Sequence, residues 1–452
     1  MRIRNCVVDI LAAIQLAAKI PHDILNLFFK EKYMVTKTKW MSIAAVLVML
    51  ALPAFAAGGK QQAASPVVTI IHDKTGAPDY HPYFIKAGEE LKTATGITLQ
   101  PSGYPSTDVY TAAVRSALPT NSAPELFTWW AGAWIQDLEK TGNLQPVTSI
   151  WDKYKDDYPQ GIRDSFTING QLYALPWSME YWLVYYNKDV YSQLGLSEPQ
   201  SWDEFLSNCQ KIKDAGITPL NQTIVDEWPA FIAFEEIAAS VDPNLYNDLC
   251  TGKKKFTDPQ AVGIFKIWKD MIDKGYFTDS STNYFNDVPR LFGDGKLAMI
   301  MGGTWFLKTN LLNNGIPESK IGWFFIKTQD GKNRAILEPS PILVAKNSKN
   351  LDAALKVVDY WMSPQGNNFL SKQVEGFPVN TKADASYLSP MKQDILKKVN
   401  TGNFALVTRF WENMPTQLML QVNQKFQEFI VNPASPDGIC ADIQKLCDAY
   451  FK

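Results

Sequence analysis

Histidine is almost missing from this chain, with 3 in 452 residues. His22 precedes the export segment described below, and His72 and His81 form no HExxH pair, so a helix-borne metal hydrolase has no support. A G-x-S-x-G elbow, a phosphate-binding loop and a G-x-G-x-x-G turn are also absent. That removes the usual frames for serine acyl transfer, phosphoryl transfer and dinucleotide binding. The 5 cysteines contain no C-x-x-C pair, and neither a metal nor a cofactor is expected. Cys440 and Cys447 lie in a segment that reads as helix. Seven residues of helix rise ~10.5 Å, beyond the ~7 Å Cα separation a disulfide tolerates. Cys209 falls on the apolar face of a helix and reads as a buried thiol. Export permits disulfides, and the pairing of Cys209, Cys250, Cys440 and Cys447 stays open. Positive charge is not in excess. A formal net charge of −2 without a basic cluster argues against a nucleic-acid partner.

Long apolar runs are lacking as well. The strongest, Ile43–Leu52, is shorter than the ~20 residues that span a bilayer. It follows Lys37 and Lys39 and precedes Ala54-Phe55-Ala56, so Met34 to Ala57 reads as a secretory signal with a charged region, an apolar region and an A-x-A cleavage site. No cysteine follows it, which leaves no lipid anchor. The expectation is a periplasmic, monomeric protein released by cleavage near Ala56 or Ala57; Met34 is the preferred start, with residues 1–33 a mis-assigned beginning, and a real N-terminal extension is the alternative. What remains is mildly acidic.

Aromatics are plentiful: 14 Trp, 18 Tyr and 24 Phe. Many Trp stand beside Gly, Pro or small polar residues. Their flat faces serve binding as well as cores, and most are read here as core. The mature chain opens with strand Val67–Ile71, helix Tyr83–Thr95, strand Ile97–Leu99, helix Asp108–Ala117 capped by Thr107 or Asp108, and strand Leu126–Trp130. This βαβαβ rhythm predicts a doubly wound α/β sheet whose ligands bind beyond the strands' carboxyl ends. The middle repeats the theme. Ser201-Trp202-Asp203-Glu204 is a capping box, Asp258-Pro259 opens a helix with Phe265, Trp268 and Ile272 on its buried face, and Leu297–Met301 is a strand covered on both faces.

Several stretches carry a family likeness. They are Pro124-Glu125-Leu126-Phe127-Thr128-Trp129-Trp130, Asn169-Gly170-Gln171-Leu172-Tyr173-Ala174-Leu175-Pro176-Trp177-Ser178-Met179-Glu180-Tyr181-Trp182, Tyr185-Tyr186-Asn187-Lys188, Ser201-Trp202-Asp203-Glu204-Phe205, Ala215-Gly216-Ile217-Thr218-Pro219 and Met301-Gly302-Gly303-Thr304-Trp305. In this order they resemble the extracellular sugar-binding proteins of ABC importers, the family that includes maltose-binding protein, over essentially the whole mature chain. The resemblance implies a two-lobed periplasmic-binding-protein-like fold (type II). Each lobe is a doubly wound sheet, and crossover strands join the lobes around a ligand cleft. It places one lobe at 58–178 plus 338–376 and the other at 179–337 plus 377–452. The crossings fall near Trp177–Leu183, Glu338–Ile342 and Gly376–Val379. It implies no catalysis, a sugar or oligosaccharide ligand and a membrane permease as partner. Relatives often carry a glycine-rich second crossing, whereas this chain has Leu337-Glu338-Pro339-Ser340-Pro341. Glu338 either faces the ligand or is a solvated loop charge, and the loop reading is the one favoured here.

A sugar presents C–H faces and a rim of hydroxyls, so its site needs aromatics with a few placed polar groups. Asp73 and Lys74 follow a strand and supply one acceptor and one donor. Asp108 opens a helix, where capping competes with binding as its role. Of Trp129 and Trp130, at most one faces a cleft, since neighbours on a strand point apart; Trp134 is open between wall and helix packing. Trp228 precedes Pro229 in a polar loop, where burial gives an indole little reason to be. The resemblance assigns ligand contact to Glu180, where the alternative is a surface carboxylate, and sugar stacking to Trp305 and Trp411. Trp305 also lies just past a strand end, whereas the context Arg409-Phe410-Trp411-Glu412 suits helix packing equally well.

The rival class is a secreted carbohydrate-active enzyme, which needs two carboxylates a set distance apart. Asp156-Asp157 and Glu235-Glu236 are neighbours in sequence, do not face one another, and read as surface charge. A binding protein for another small polar solute is the second alternative, and a structural adhesin would not explain the motifs.

Overall fold

A β-branched run, buried at Val68 and from Ile70 to His72, makes Val67–His72 (β1) a strand. It begins the described part of this computed structural model, which covers residues 65–73, 80–225 and 228–451, without the side chains of Tyr80 and His81. The export segment, Lys74 and the doubtful start therefore lie outside the described residues. Helix α1 (Tyr80–Thr95) ends at Gly96, whose φ of +76° suits a helix stop. β2 (Thr98–Gly103) then pairs in parallel with β1, Val67 opposite Thr98. Helix α2 (Thr107–Ala117) is capped by Ser106, whose hydroxyl accepts from the Val109 amide, so neither Thr107 nor Asp108 is the cap. β3 (Leu126–Thr128) lies on the other side of β1, again parallel, with Ile70 opposite Leu126. The βαβαβ unit thus forms as the sequence implied. Its last strand stops two residues early, leaving Trp129 and Trp130 beyond it.

After helix α3 (Ala133–Glu139) comes the spine of the molecule, β4 (Ala174–Asn187). Twelve of its fourteen residues are buried, as expected for a strand covered on both faces. Helix α4 (Trp202–Asp214) starts at the expected box. Ser201 Oγ accepts from the Glu204 amide at 3.1 Å, and the Glu204 carboxylate reaches back to the Gln200 amide at 2.7 Å. Helix α5 (Phe231–Val241) is buried along nearly its whole length. β5 (Met299–Gly303) and β6 (Ile321–Phe324) both pair antiparallel with the second half of β4.

β7 (Arg334–Val344) runs antiparallel beside β4, from Ala174 opposite Leu343 to Trp182 opposite Ile336. Its end also pairs with β3, and its start pairs in parallel with β8 (Ala405–Thr408). These two long strands carry one eight-stranded sheet, ordered β2-β1-β3-β7-β4-β5 with β8 and β6 beside it, from the β1–β3 end to the β5–β6 end. Phe377 forms an isolated antiparallel bridge to Met179 of β4. The segments following β3, β5 and β8, including the short helix α6 (Phe410–Asn413), lie close to this spine. Among the described residues no helix is long and apolar enough to cross a membrane. Cys209, Cys250, Cys440 and Cys447 are buried free thiols.

Candidate functional site

The residues after β3, at the start of α5, after β5 and in α6 meet as a chain of aromatic rings. Trp130 lies 4.7 Å from Trp134, ring centre to ring centre, and Trp134 stacks on Trp411 at 5.6 Å and 23°. Trp411 lies 6.0 Å from Phe231, which lies 6.0 Å from Trp228. Trp228 in turn is 6.5 Å from Trp305. Trp130, Trp228 and Trp305 keep part of each ring exposed, while Trp129, Trp134 and Trp411 are buried. Trp129 turns inward and its indole donates to the Trp134 carbonyl at 3.2 Å, which leaves Trp130 as the more open of the pair.

Local backbone chemistry builds this arrangement. Gly132 adopts φ +58°, and a Cβ there would sit 2.4 Å from the Glu412 carbonyl oxygen. Only glycine lets the Trp130–Trp134 segment approach α6 so closely, and the Trp134 indole then donates to the Trp411 carbonyl at 2.8 Å. At the other end a Cβ on Gly303 would lie 2.3 Å from Trp305 Nε1, so the glycine lets that indole fold over the strand end. Thr304 anchors the turn, its amide donating to the Tyr181 carbonyl at 2.9 Å.

A polar network sits beneath the rings. Glu338 occupies β7, not a loop, and its side chain is 16% exposed. One carboxylate oxygen accepts from Trp182 Nε1 at 2.9 Å and Trp305 Nε1 at 3.0 Å, and the other pairs with Arg409 at 2.8 Å. The expectation of a solvated loop charge is therefore overturned. The flanking prolines read as loop residues, but their backbones are held in the β4–β7 ladder, Pro339 opposite Met179. Arg409 also forks onto Glu412 and lies 5.7 Å from the Trp182 ring centre. Burial pushes the Glu412 carboxyl up to about 7 against the pull of Arg409.

Glu180 stands opposite Glu338 in the ladder and is 4% exposed. Its carboxylate accepts from the Thr304 hydroxyl at 2.5 Å. Burial raises its pKa to about 7, opposed by Lys392 and the Thr304 hydrogen bond and reinforced by Glu338. Asp73, partly buried at the end of β1, acts electrostatically on Tyr110, whose hydroxyl lies between the Ile71 and Thr128 carbonyls and whose ring is 6.3 Å from Trp130. Asp108 stays exposed in the first turn of α2. The structure thus brings Trp130, Trp228, Trp305 and Trp411 together, sets Trp129 behind them, places Glu180 on the adjoining strand and leaves Asp108 outside the ring contacts.

Two acidic pairs differ from expectation. Glu235 and Glu236 are fully buried, with Glu236 bonded to Arg334 and Glu235 accepting from the Phe410 amide at 2.9 Å. Asp157 is buried against Lys382, while Asp156 is exposed as expected. Sequence reasoning passed over Trp182, Phe231 and Arg409. The period-two alternation Ser178, Glu180, Trp182 was the available signal for the first, and the Arg409/Glu412 spacing for the last. A separate open groove of about 830 Å³, lined by Asp242, Asn244, Gln260 and Lys332 among others, holds no aromatic ring and offers nothing for a sugar face.

Residues 77–368 match the family model described as bacterial extracellular solute-binding protein. A putative binding protein of Brucella abortus (strain 2308) is 25% identical over 436 residues, covering 92% of this chain and 99% of the relative. Among solved structures, the bacterial solute receptor AcbH, described as exclusively preferring β-D-galactopyranose, aligns with a TM-score of 0.78 at 18% identity over 86% of this chain and 100% of the receptor. A chitin oligosaccharide binding protein aligns at 0.73 and 21% identity, over 85% and 98% of the two chains. At these identities the likeness shows the fold, a two-lobed α/β architecture joined by crossover strands.

Proposed function

The chain belongs to the bacterial extracellular solute-binding proteins, and on that premise we propose that it is the extracytoplasmic receptor of an ABC importer, taking a sugar or oligosaccharide onto its aromatic chain and delivering it to a membrane permease. The observation that carries the reading is the run Trp130–Trp411–Phe231–Trp228–Trp305, with part of three indoles still exposed. Flat apolar faces at stacking spacing suit the C–H faces of pyranose rings. The names of the two structural relatives, a galactopyranose receptor and a chitin oligosaccharide binding protein, support the ligand class.

The lobes divide at 58–178 plus 338–376 and 179–337 plus 377–452. Trp130 belongs to the first lobe, and Trp228, Trp305 and Trp411 belong to the second. Asp73, Lys74, Asp108, Trp129 and Glu180 complete the site, with Asp73 and Lys74 as an acceptor and a donor for the hydroxyl rim. A solute that touches both walls favours the closed arrangement over the open one by its differential contacts, and the permease reads the closed form. The protein works as a monomer, leaves its ligand unchanged and is exported by cleavage near Ala56 or Ala57.

The test is a thermal-shift panel on residues 58–452, unfolded and refolded to strip bound solute, with galactose, maltotriose, raffinose and diacetylchitobiose. Ligand at ~100 times its Kd adds ~2.7 kcal/mol by mass action, which is a rise of a few degrees for a chain of this size. A rise with one sugar series and no new reducing ends supports the proposal. Release of reducing ends would assign an enzyme instead.

A further inference from the structure

Glu338 has no counterpart role in what has been described so far. It is a single carboxylate on a crossing strand that touches three other elements. Its oxygens take an indole N–H from β4 (Trp182), an indole N–H from the segment after β5 (Trp305) and the guanidinium preceding α6 (Arg409). An indole nitrogen only donates, so each ring's rotation about its bonds is fixed by where its acceptor stands. Charge-assisted bonds of this kind are stronger than neutral ones. Arg409 is neutralised twice, by Glu338 and by the fork onto Glu412. These three donors occupy most of the roughly four acceptor positions of the Glu338 carboxylate.

We propose that Glu338 is a positioning residue that fixes the indole of Trp305 against that of Trp182 and, through Arg409, holds the segment bearing Trp411, so that the aromatic walls are set before a solute arrives. This rests on the reading of the aromatic chain as the binding wall. A wall held in its bound geometry loses less rotamer freedom on binding, and affinity rises for that reason. The role is also compatible with removal of the side chain, because Arg409 keeps Glu412 as its partner.

The test uses the exported chain with 15N-labelled tryptophan, in Glu338→Ala and Glu338→Gln. Indole resonances of Trp182 and Trp305 are assigned from Trp182→Phe and Trp305→Phe and recorded without any sugar. In Glu338→Ala both resonances are expected to move upfield and their protons to exchange faster with water. In Glu338→Gln, which keeps one acceptor oxygen and folds with the same shape, the changes are expected to be smaller and in the same direction. Titration with each sugar of the panel that binds the parent protein is expected to show at least tenfold weaker binding for Glu338→Ala and partial rescue for Glu338→Gln. If both indoles keep their positions and protection in the two variants, the positioning role is overturned; should Glu338→Ala fail to fold, Glu338→Gln alone decides by the same spectra. If no sugar binds the parent protein, the proposed function has failed while the spectra still judge Glu338.

Discussion

Glu180→Gln is the perturbation whose size follows most directly from the structure. Glu180 is 4% exposed, and burial lifts its pKa from 4.5 to about 7. The groups around it are Thr304, which donates to it, Lys392, which favours its charge, and Glu338, which disfavours it. Lys392 in turn donates to the Glu375 carbonyl at 2.5 Å, and burial lowers its own pKa while Glu180, Glu375 and Glu318 raise it. Because the folded protein holds the Glu180 proton more tightly than the unfolded chain does, this group stabilises the fold most below pH 4.5. That advantage is lost as pH rises from 4.5 to 7 and stays lost above it. At 1.36 kcal/mol per pH unit the loss is about 3 kcal/mol. With an unfolding entropy of ~2.1 cal/mol/K per residue over roughly 390 residues, it corresponds to about 4 °C in Tm. Glutamine keeps an acceptor for Thr304 and carries no charge. Calorimetric scans from pH 4 to pH 8 at constant ionic strength should therefore show a Tm decline that is about 4 °C smaller in Glu180→Gln than in the parent. The remaining decline comes from groups such as Glu412, also raised to about 7 by burial. Identical declines in the two proteins would refute the assignment of Glu180 as a buried carboxyl that titrates near neutrality.

Trp305→Ala removes a partly exposed stacking face and is expected to weaken binding of the sugar found in the panel by at least tenfold, about 1.4 kcal/mol, as read by calorimetric titration. Gly132→Ala forces a Cβ to within 2.4 Å of the Glu412 carbonyl at φ +58°; a stability loss of about 1–3 kcal/mol in urea unfolding, together with altered tryptophan near-ultraviolet dichroism, is expected. Glu236→Ala strands the buried Arg334 guanidinium and should lower stability by about 3–5 kcal/mol in the same assay, whereas Asp156→Ala, at an exposed position, should stay within about 0.5 kcal/mol.

Much of this architecture is written locally. The Ser201 box, the stop at Gly96 and the β1–β3 unit follow from residue types that act within a few positions, and the structure places them as the sequence implied. The errors share one physical origin. Glu338 reads as a loop charge because Pro339 and Pro341 punctuate it, yet the partner strand β4 overrides that local signal and supplies Trp182 as a donor. Glu235-Glu236 reads as surface charge by composition. The helix around it, Phe231–Val241, is apolar on nearly every side, and that is the mark of a buried helix whose acids must find partners. The choice between Trp129 and Trp130 turns on where β3 ends, which depends on its pairing with β7 and not on its own residues. The meeting of Trp130 with Trp411, 281 positions away, is set by the tertiary approach at Gly132, and only the family resemblance hinted at it.

The central claim, that this receptor binds a sugar and leaves it intact, is tested most directly by calorimetric titration of the stripped protein with the sugar that raises its Tm, followed by mass spectrometry of the recovered ligand. The account predicts saturable binding of one sugar per chain, weakened in Trp305→Ala, with the ligand recovered at its original mass. Binding that is unaffected by Trp305→Ala, or a ligand recovered shorter than it was added, would contradict it.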